Sequence, residues 1–171
     1  PTVSADLRSN VHAVGDRGLL GLAVDPEYPT RPYLYVSYML DAPPGGTAPY
    51  YNDACPLNDG HKDGCPATGR VSRLTLTPNG VMTGSETVVI GGQYWCHQQQ
   101  GHALNHIEFG PDGALYASSG DGGTASFTDW GQHFGDQQFV APNACGDPPA
   151  PAGTRLQLPT TEGGALRSQD L

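Results

Sequence analysis

Basic charge is the first thing this sequence lacks. Lys62 is its one lysine and seven arginines are scattered along it, against 17 acidic residues, for a formal net charge of −9 and a pI of about 4.8. A protein grips nucleic acid by displacing counterions with clustered cations. No such cluster exists here, so nucleic acid is not expected as a partner. Long apolar runs are also missing, since none approaches the roughly 20 residues of a membrane-spanning helix. Charged residues make up only 15% of the chain and hydrophobic residues 37%, which is not the charge-rich, apolar-poor composition of disorder. No stretch carries the apolar spacing of an amphipathic helix. An initiating methionine and a charged-then-apolar leader are both absent, which leads to the expectation of a removed signal peptide or a numbering that begins inside a longer protein.

Turn formers abound instead, with 24 glycines and 16 prolines in 171 residues. Between them lie short apolar segments that read as strands. Leu19 to Val24 and the aromatic run Tyr33 to Leu40 form a first hairpin. Val71 to Thr77 alternates apolar and polar residues, turns at Pro78-Asn79-Gly80 and pairs with Thr87 to Ile90. His102 to Phe109 and Ala114 to Ser119 form a third hairpin across Gly110-Pro111-Asp112-Gly113. Two long loops accompany them, 41–69 between the first and second hairpins and 122–159 after the third. The expected fold is all-β: repeated small antiparallel sheets in the manner of a β-propeller, with a sandwich as the alternative. A propeller needs at least four blades of about four strands each, and this chain supplies strands for only part of one.

The four cysteines, Cys55, Cys65, Cys96 and Cys145, allow three pairings. The simplest joins Cys55 to Cys65 and Cys96 to Cys145, ties down both long loops and implies an oxidising, extracellular compartment. A zinc site on Cys96, His97 and Cys145 lacks paired ligand spacing. The acidic loop with Asn52, Asp53, Asn58, Asp59 and Asp63 fails the spacing of a calcium loop, so no metal ligand is assigned.

Chemistry concentrates in Gly101 to Gly123. A turn centred on Pro111 and Asp112 places residues whose numbers sum to 223 opposite one another, His102 and Asp121 among them. Cross-strand neighbours have Cβ atoms about 4.5–5.5 Å apart, close enough for a carboxylate to orient an imidazole as a general base. A bulge at Gly113 would shift that register. The plain reading of the same residues is a turn-forming aspartate and a solvent-facing histidine.

Three motifs carry a family resemblance: Asp16-Arg17-Gly18-Leu19-Leu20-Gly21-Leu22-Ala23-Val24-Asp25-Pro26, then Gly69-Arg70-Val71-Ser72-Arg73-Leu74, then His102 through Gly110-Pro111-Asp112-Gly113 to Gly120-Asp121. In order and spacing they resemble the glucose/sorbosone dehydrogenase family, soluble quinoprotein sugar dehydrogenases that share a six-bladed propeller with hedgehog-interacting protein. The resemblance implies two to three blades of that propeller, a pyrroloquinoline quinone (PQQ) cofactor with Ca²⁺, and oxidation of an aldose-type sugar. It implies His102 as the general base, Asp121 as its supporting carboxylate, Asp16 and Arg17 as sugar-binding residues and Asn105 beside the cofactor. Leu104 and Asn105 depart from the small residues usual at their positions. Most cofactor and calcium ligands are expected outside this chain, in further blades of a longer secreted polypeptide with room for other modules. A catalytically silent propeller that binds carbohydrate or protein is the alternative.

Overall fold

The computed structural model describes residues 2–54, 65–92, 95–97, 100–120 and 122. Seven strands run through them: β1 (Leu19–Val24), β2 (Tyr33–Met39), β3 (Ala67–Leu76), β4 (Met82–Ile90), β5 (Cys96–His97), β6 (Leu104–Phe109) and β7 (Leu115–Ser119). The first four pair antiparallel in sequence order, β5 pairs with the start of β3, and β6–β7 stand apart as a hairpin. The all-β expectation holds, with no helix among the described residues. A four-stranded meander followed by a hairpin packed across its first two strands is one propeller blade and the opening of the next.

β2 shows why the sheet is buried on both faces. Its odd positions Tyr35 and Met39 join Val71 of β3 and Leu104 and Ile107 of β6 in a core between the two sheets. Its even positions Val36 and Tyr38 pack with Leu74, and Ala5, Leu7 and Val11 of the N-terminal segment cover that side. Alternate residues of a strand point to opposite faces, so double coverage turns YLYVSYM into a nearly continuous buried run rather than an apolar–polar alternation. Each large apolar side chain so buried contributes about 1.5–3 kcal/mol.

The second core also holds a polar cluster. Glu86 accepts hydrogen bonds from Tyr38 Oη at 2.7 Å, Arg70 Nη1 at 2.9 Å and Asn10 Nδ2 at 3.2 Å. Burial, reinforced by the Glu86 carboxylate, pushes the Tyr38 phenol up to about 12.

Strand limits differ from expectation chiefly at their ends. β3 begins at Ala67, inside the stretch read as loop 41–69, and β4 begins at Met82 rather than Thr87. Both additions are ladder hydrogen bonds that polar residues such as Thr68 and Thr83 make as readily as apolar ones, so apolar content understates the strands. The loop 122–159 lies outside the described residues, Gly122 apart.

Candidate active site

The hairpin β6–β7 does not keep one register throughout. Its turn contains a Gly110 O···H–N Gly113 bond of 2.9 Å, and Gly113 has φ +78°. That is the Gly113 bulge which shifts pairing by one residue. Phe109 lies opposite Leu115, Glu108 opposite Tyr116 and Ile107 opposite Ala117, correcting the unbulged register near the turn. A second irregularity between Leu104 and Ile107 then cancels the first, and Leu104 faces Ser119 as expected. Asn105 and His106 are consequently exposed in succession.

The second irregularity has an evident cause across the sheet interface. The Asn105 carbonyl accepts a hydrogen bond from Ser37 Oγ at 2.9 Å. Gly21 of β1 lies directly beneath, where a Cβ would come within 3.0 Å of Ile107 N and 3.1 Å of Asn105 O. The glycine of the Leu19-Leu20-Gly21 motif is therefore required by the close approach of two backbones.

His102 sits just before β6 rather than within it, correcting the strand start assigned there. Its φ is +48°, a left-handed conformation that a non-glycine residue keeps only when its surroundings enforce it. Its N–H donates to Asp16 Oδ2 at 3.2 Å and its carbonyl accepts from Gly122 N–H at 3.1 Å. Next to it, Gly120 N–H donates to the Ala103 carbonyl at 2.9 Å. A Cβ at Gly120 would lie 2.6 Å from the His102 carbonyl carbon and closer still to its oxygen, so no larger residue fits. The imidazole itself is exposed. Asp121 lies outside the described residues.

Asp16 is held in turn, with its N–H donating to the Gln100 carbonyl at 3.0 Å. Asp16 is exposed, so its side chain borders the same surface as His102. Arg17 is placed differently, at 5% exposure. Its guanidinium donates to the Cys65 carbonyl, to the His97 carbonyl at 2.8 Å and to His12 Nδ1 at 3.0 Å. Burial draws it down to about 10, which leaves it cationic at neutral pH. It braces the loop carrying Asp16 from inside.

Asn105 offers an exposed side chain beside this surface, whereas Leu104 turns into the core at 2% exposure. Motif reading missed Gln100, Gly120 and Gly122 as supports of His102, because each acts through its backbone. Among the described residues no cysteine is free. The pairings Cys55–Cys65 and Cys96–Cys145 involve residues outside the described ones.

No curated protein matches the chain. Among solved structures it is similar to a protein described as a putative oxidoreductase (glucose dehydrogenase) from Thermus thermophilus, at 28% identity and a TM-score of 0.49. It is also similar to the PQQ-bound form of an aldose sugar dehydrogenase from Streptomyces coelicolor, at 22% identity and a TM-score of 0.46. Each match covers 70% of this chain and 28% of the other, so the chain spans under a third of the length of either. The family profile described as Glucose / Sorbosone dehydrogenase matches residues 3–143, well over half the sequence, and the chain belongs to that family.

Proposed function

We propose that this chain is part of a quinoprotein sugar dehydrogenase that oxidises an aldose-type sugar, with His102 as general base. The observation that carries the reading is the conformation of His102: an exposed imidazole on a left-handed residue whose N–H is held by Asp16 and whose carbonyl is held by Gly122. A base must be held at a fixed point relative to the proton it takes, and two backbone bonds fix the residue that carries the imidazole.

The residues present fit a planar cofactor at this face. Leu104, which stands where the family pattern has a small residue, lies in the core at 2% exposure rather than at the surface that carries His102. His102 and Asn105 would border the cofactor. PQQ, when bound, supplies the acceptor for the hydride leaving the sugar's anomeric carbon. His102 takes the anomeric hydroxyl proton, and Asp16 fixes the backbone from which it does so. The role given to Asp121 is to steady the imidazolium. Calcium, expected with the quinone, is assigned no ligand in this chain.

The reading extends to the whole polypeptide. Leu19, Leu22 and Val24 of β1 are about half exposed, an apolar row suited to cover by further propeller blades. Secretion, with disulfides Cys55–Cys65 and Cys96–Cys145, belongs to the same proposal. Titration of unreduced, denatured protein should find no thiols.

The test uses the full-length protein reconstituted with PQQ and Ca²⁺, following dye reduction with a panel of aldoses. His102→Ala is expected to abolish turnover while the circular dichroism spectrum stays unchanged. Absence of quinone binding in the wild type would overturn the proposal in favour of a binding module.

A further inference from the structure

Away from that surface, residues 10–12 run antiparallel to 39–41. Val11 and Leu40 form an isolated bridge, His12 N–H donates to the Met39 carbonyl at 2.9 Å, and Asp41 N–H donates to the Asn10 carbonyl at 2.8 Å. This pairing brings His12 and Asp41 together, at 0% and 2% exposure. The following loop folds back so that Asp53 joins them from the solvent side. One candidate ligand atom from each of the three lies within 4.8 Å of the others.

Each side chain is anchored through one polar atom and has another left over. Asp41 Oδ2 accepts from Tyr50 N–H at 3.1 Å and Asn52 N–H at 2.9 Å. Asp53 Oδ1 accepts from Ala13 N–H at 2.7 Å. His12 Nδ1 accepts from Arg17 Nη1. Among the described residues, Asp41 Oδ1 and His12 Nε2 are buried with no hydrogen-bond partner. Leaving such atoms unsatisfied costs about 1–3 kcal/mol each, so two of them in one three-residue cluster call for a shared ligand.

We propose that His12, Asp41 and Asp53 form a binding site for a divalent transition-metal ion of the zinc class. One imidazole nitrogen with two carboxylate oxygens is a donor set for zinc-like ions rather than for calcium, which takes oxygen ligands. Two carboxylates beside one guanidinium leave a net charge of −1 to receive the ion. His12 Nδ1 accepts from Arg17, which can only donate, so the ring offers a neutral imidazole, as a ligand must. Arg17 can only donate, so the ion-free ring carries its proton on Nε2. On binding, that proton moves to Nδ1 and Arg17 turns from the ring, retaining the Cys65 and His97 carbonyls. The exchange limits affinity but releases no net proton. The site stands independently of the sugar dehydrogenase reading.

The test is Zn²⁺ titration of the metal-stripped full chain by calorimetry, with bound zinc counted by mass spectrometry. Other histidines can also take up zinc, so the measured quantity is the difference between wild type and variants. Asp53→Asn suits this purpose because Asp53 is exposed and the new carbonyl can still accept from Ala13. The wild type should bind one more equivalent than Asp53→Asn or His12→Gln, or bind that equivalent at least about tenfold more tightly. Equal stoichiometry and affinity in wild type and Asp53→Asn would overturn the proposal. So would a Ca²⁺ site that Asp53→Asn removes and His12→Gln leaves intact. If His12→Gln does not fold, Asp41→Asn takes its place beside Asp53→Asn.

Discussion

The carboxylate of Asp16 accepts a hydrogen bond from the backbone amide of His102, 86 positions further along the chain, at 3.2 Å. The bond ties the turn entering β1 to the left-handed residue entering β6. Asp16→Ala should release the His102 amide to solvent, raising its hydrogen-exchange rate by about tenfold for a lost bond worth about 1.4 kcal/mol. Asp16→Asn keeps an acceptor oxygen and should retain most of the protection. Equal exchange in all three proteins would show that the bond does not hold His102.

Gly120 is required for a different reason. An added Cβ would sit 2.6 Å from the His102 carbonyl carbon and 3.0 Å from the Ala103 carbonyl oxygen, and backbone cannot yield as a flexible side chain does. Gly120→Ala should destabilise the protein by about 3 kcal/mol, the upper end for overpacking. Chemical denaturation measures it, and a loss under about 0.5 kcal/mol would contradict the close approach.

Gly21 and Ser37 should be energetically coupled. A Cβ on Gly21 would collide with Ser37 Oγ as well as with the backbone of β6, while Ser37 Oγ donates to Asn105. Ser37→Ala should cost about 1 kcal/mol. In the Gly21→Ala background it should cost less, because removing the hydroxyl relieves part of the clash. A double-mutant cycle should give a coupling above about 0.5 kcal/mol, and strict additivity would refute the contact.

Tyr38 makes stability depend on alkaline pH. Its phenol is pushed up from 10.0 to about 12, so between those values the folded state holds a proton that the unfolded state has lost. Stability contributed by Tyr38 is therefore complete below about pH 10 and declines as pH rises toward 12. Tyr38→Phe should lower stability by about 1 kcal/mol at about pH 8 through the lost bond to Glu86, and the gap from wild type should narrow between about pH 10 and 12. A gap that stayed constant would overturn the assignment.

Much of the architecture could be read in advance. The alternation in Val71–Leu76, the aromatic run Tyr33–Met39 and the turn Pro111-Asp112-Gly113 are local patterns, and each acts over a few residues. Even the Gly113 bulge was recognisable as the feature that would alter register. The compensating irregularity at Asn105 was not, because it arises from Ser37 and Gly21 in another sheet. Arg17 gave no local sign of burial either. An arginine goes inside only where acceptors converge on it, and here the carbonyls of Cys65 and His97 come from distant chain.

By itself the sequence determined the all-β class, the three hairpins with their turns and the family motifs, though not β5 or the starts of β3, β4 and β6, since side-chain period and turn preference are encoded residue by residue. Tertiary structure decided which glycines stand at close backbone approaches, why His102 holds a left-handed conformation, and that His12 meets Asp41. Those outcomes depend on contacts between segments far apart in the chain, where distance and desolvation, rather than local propensity, select the conformation.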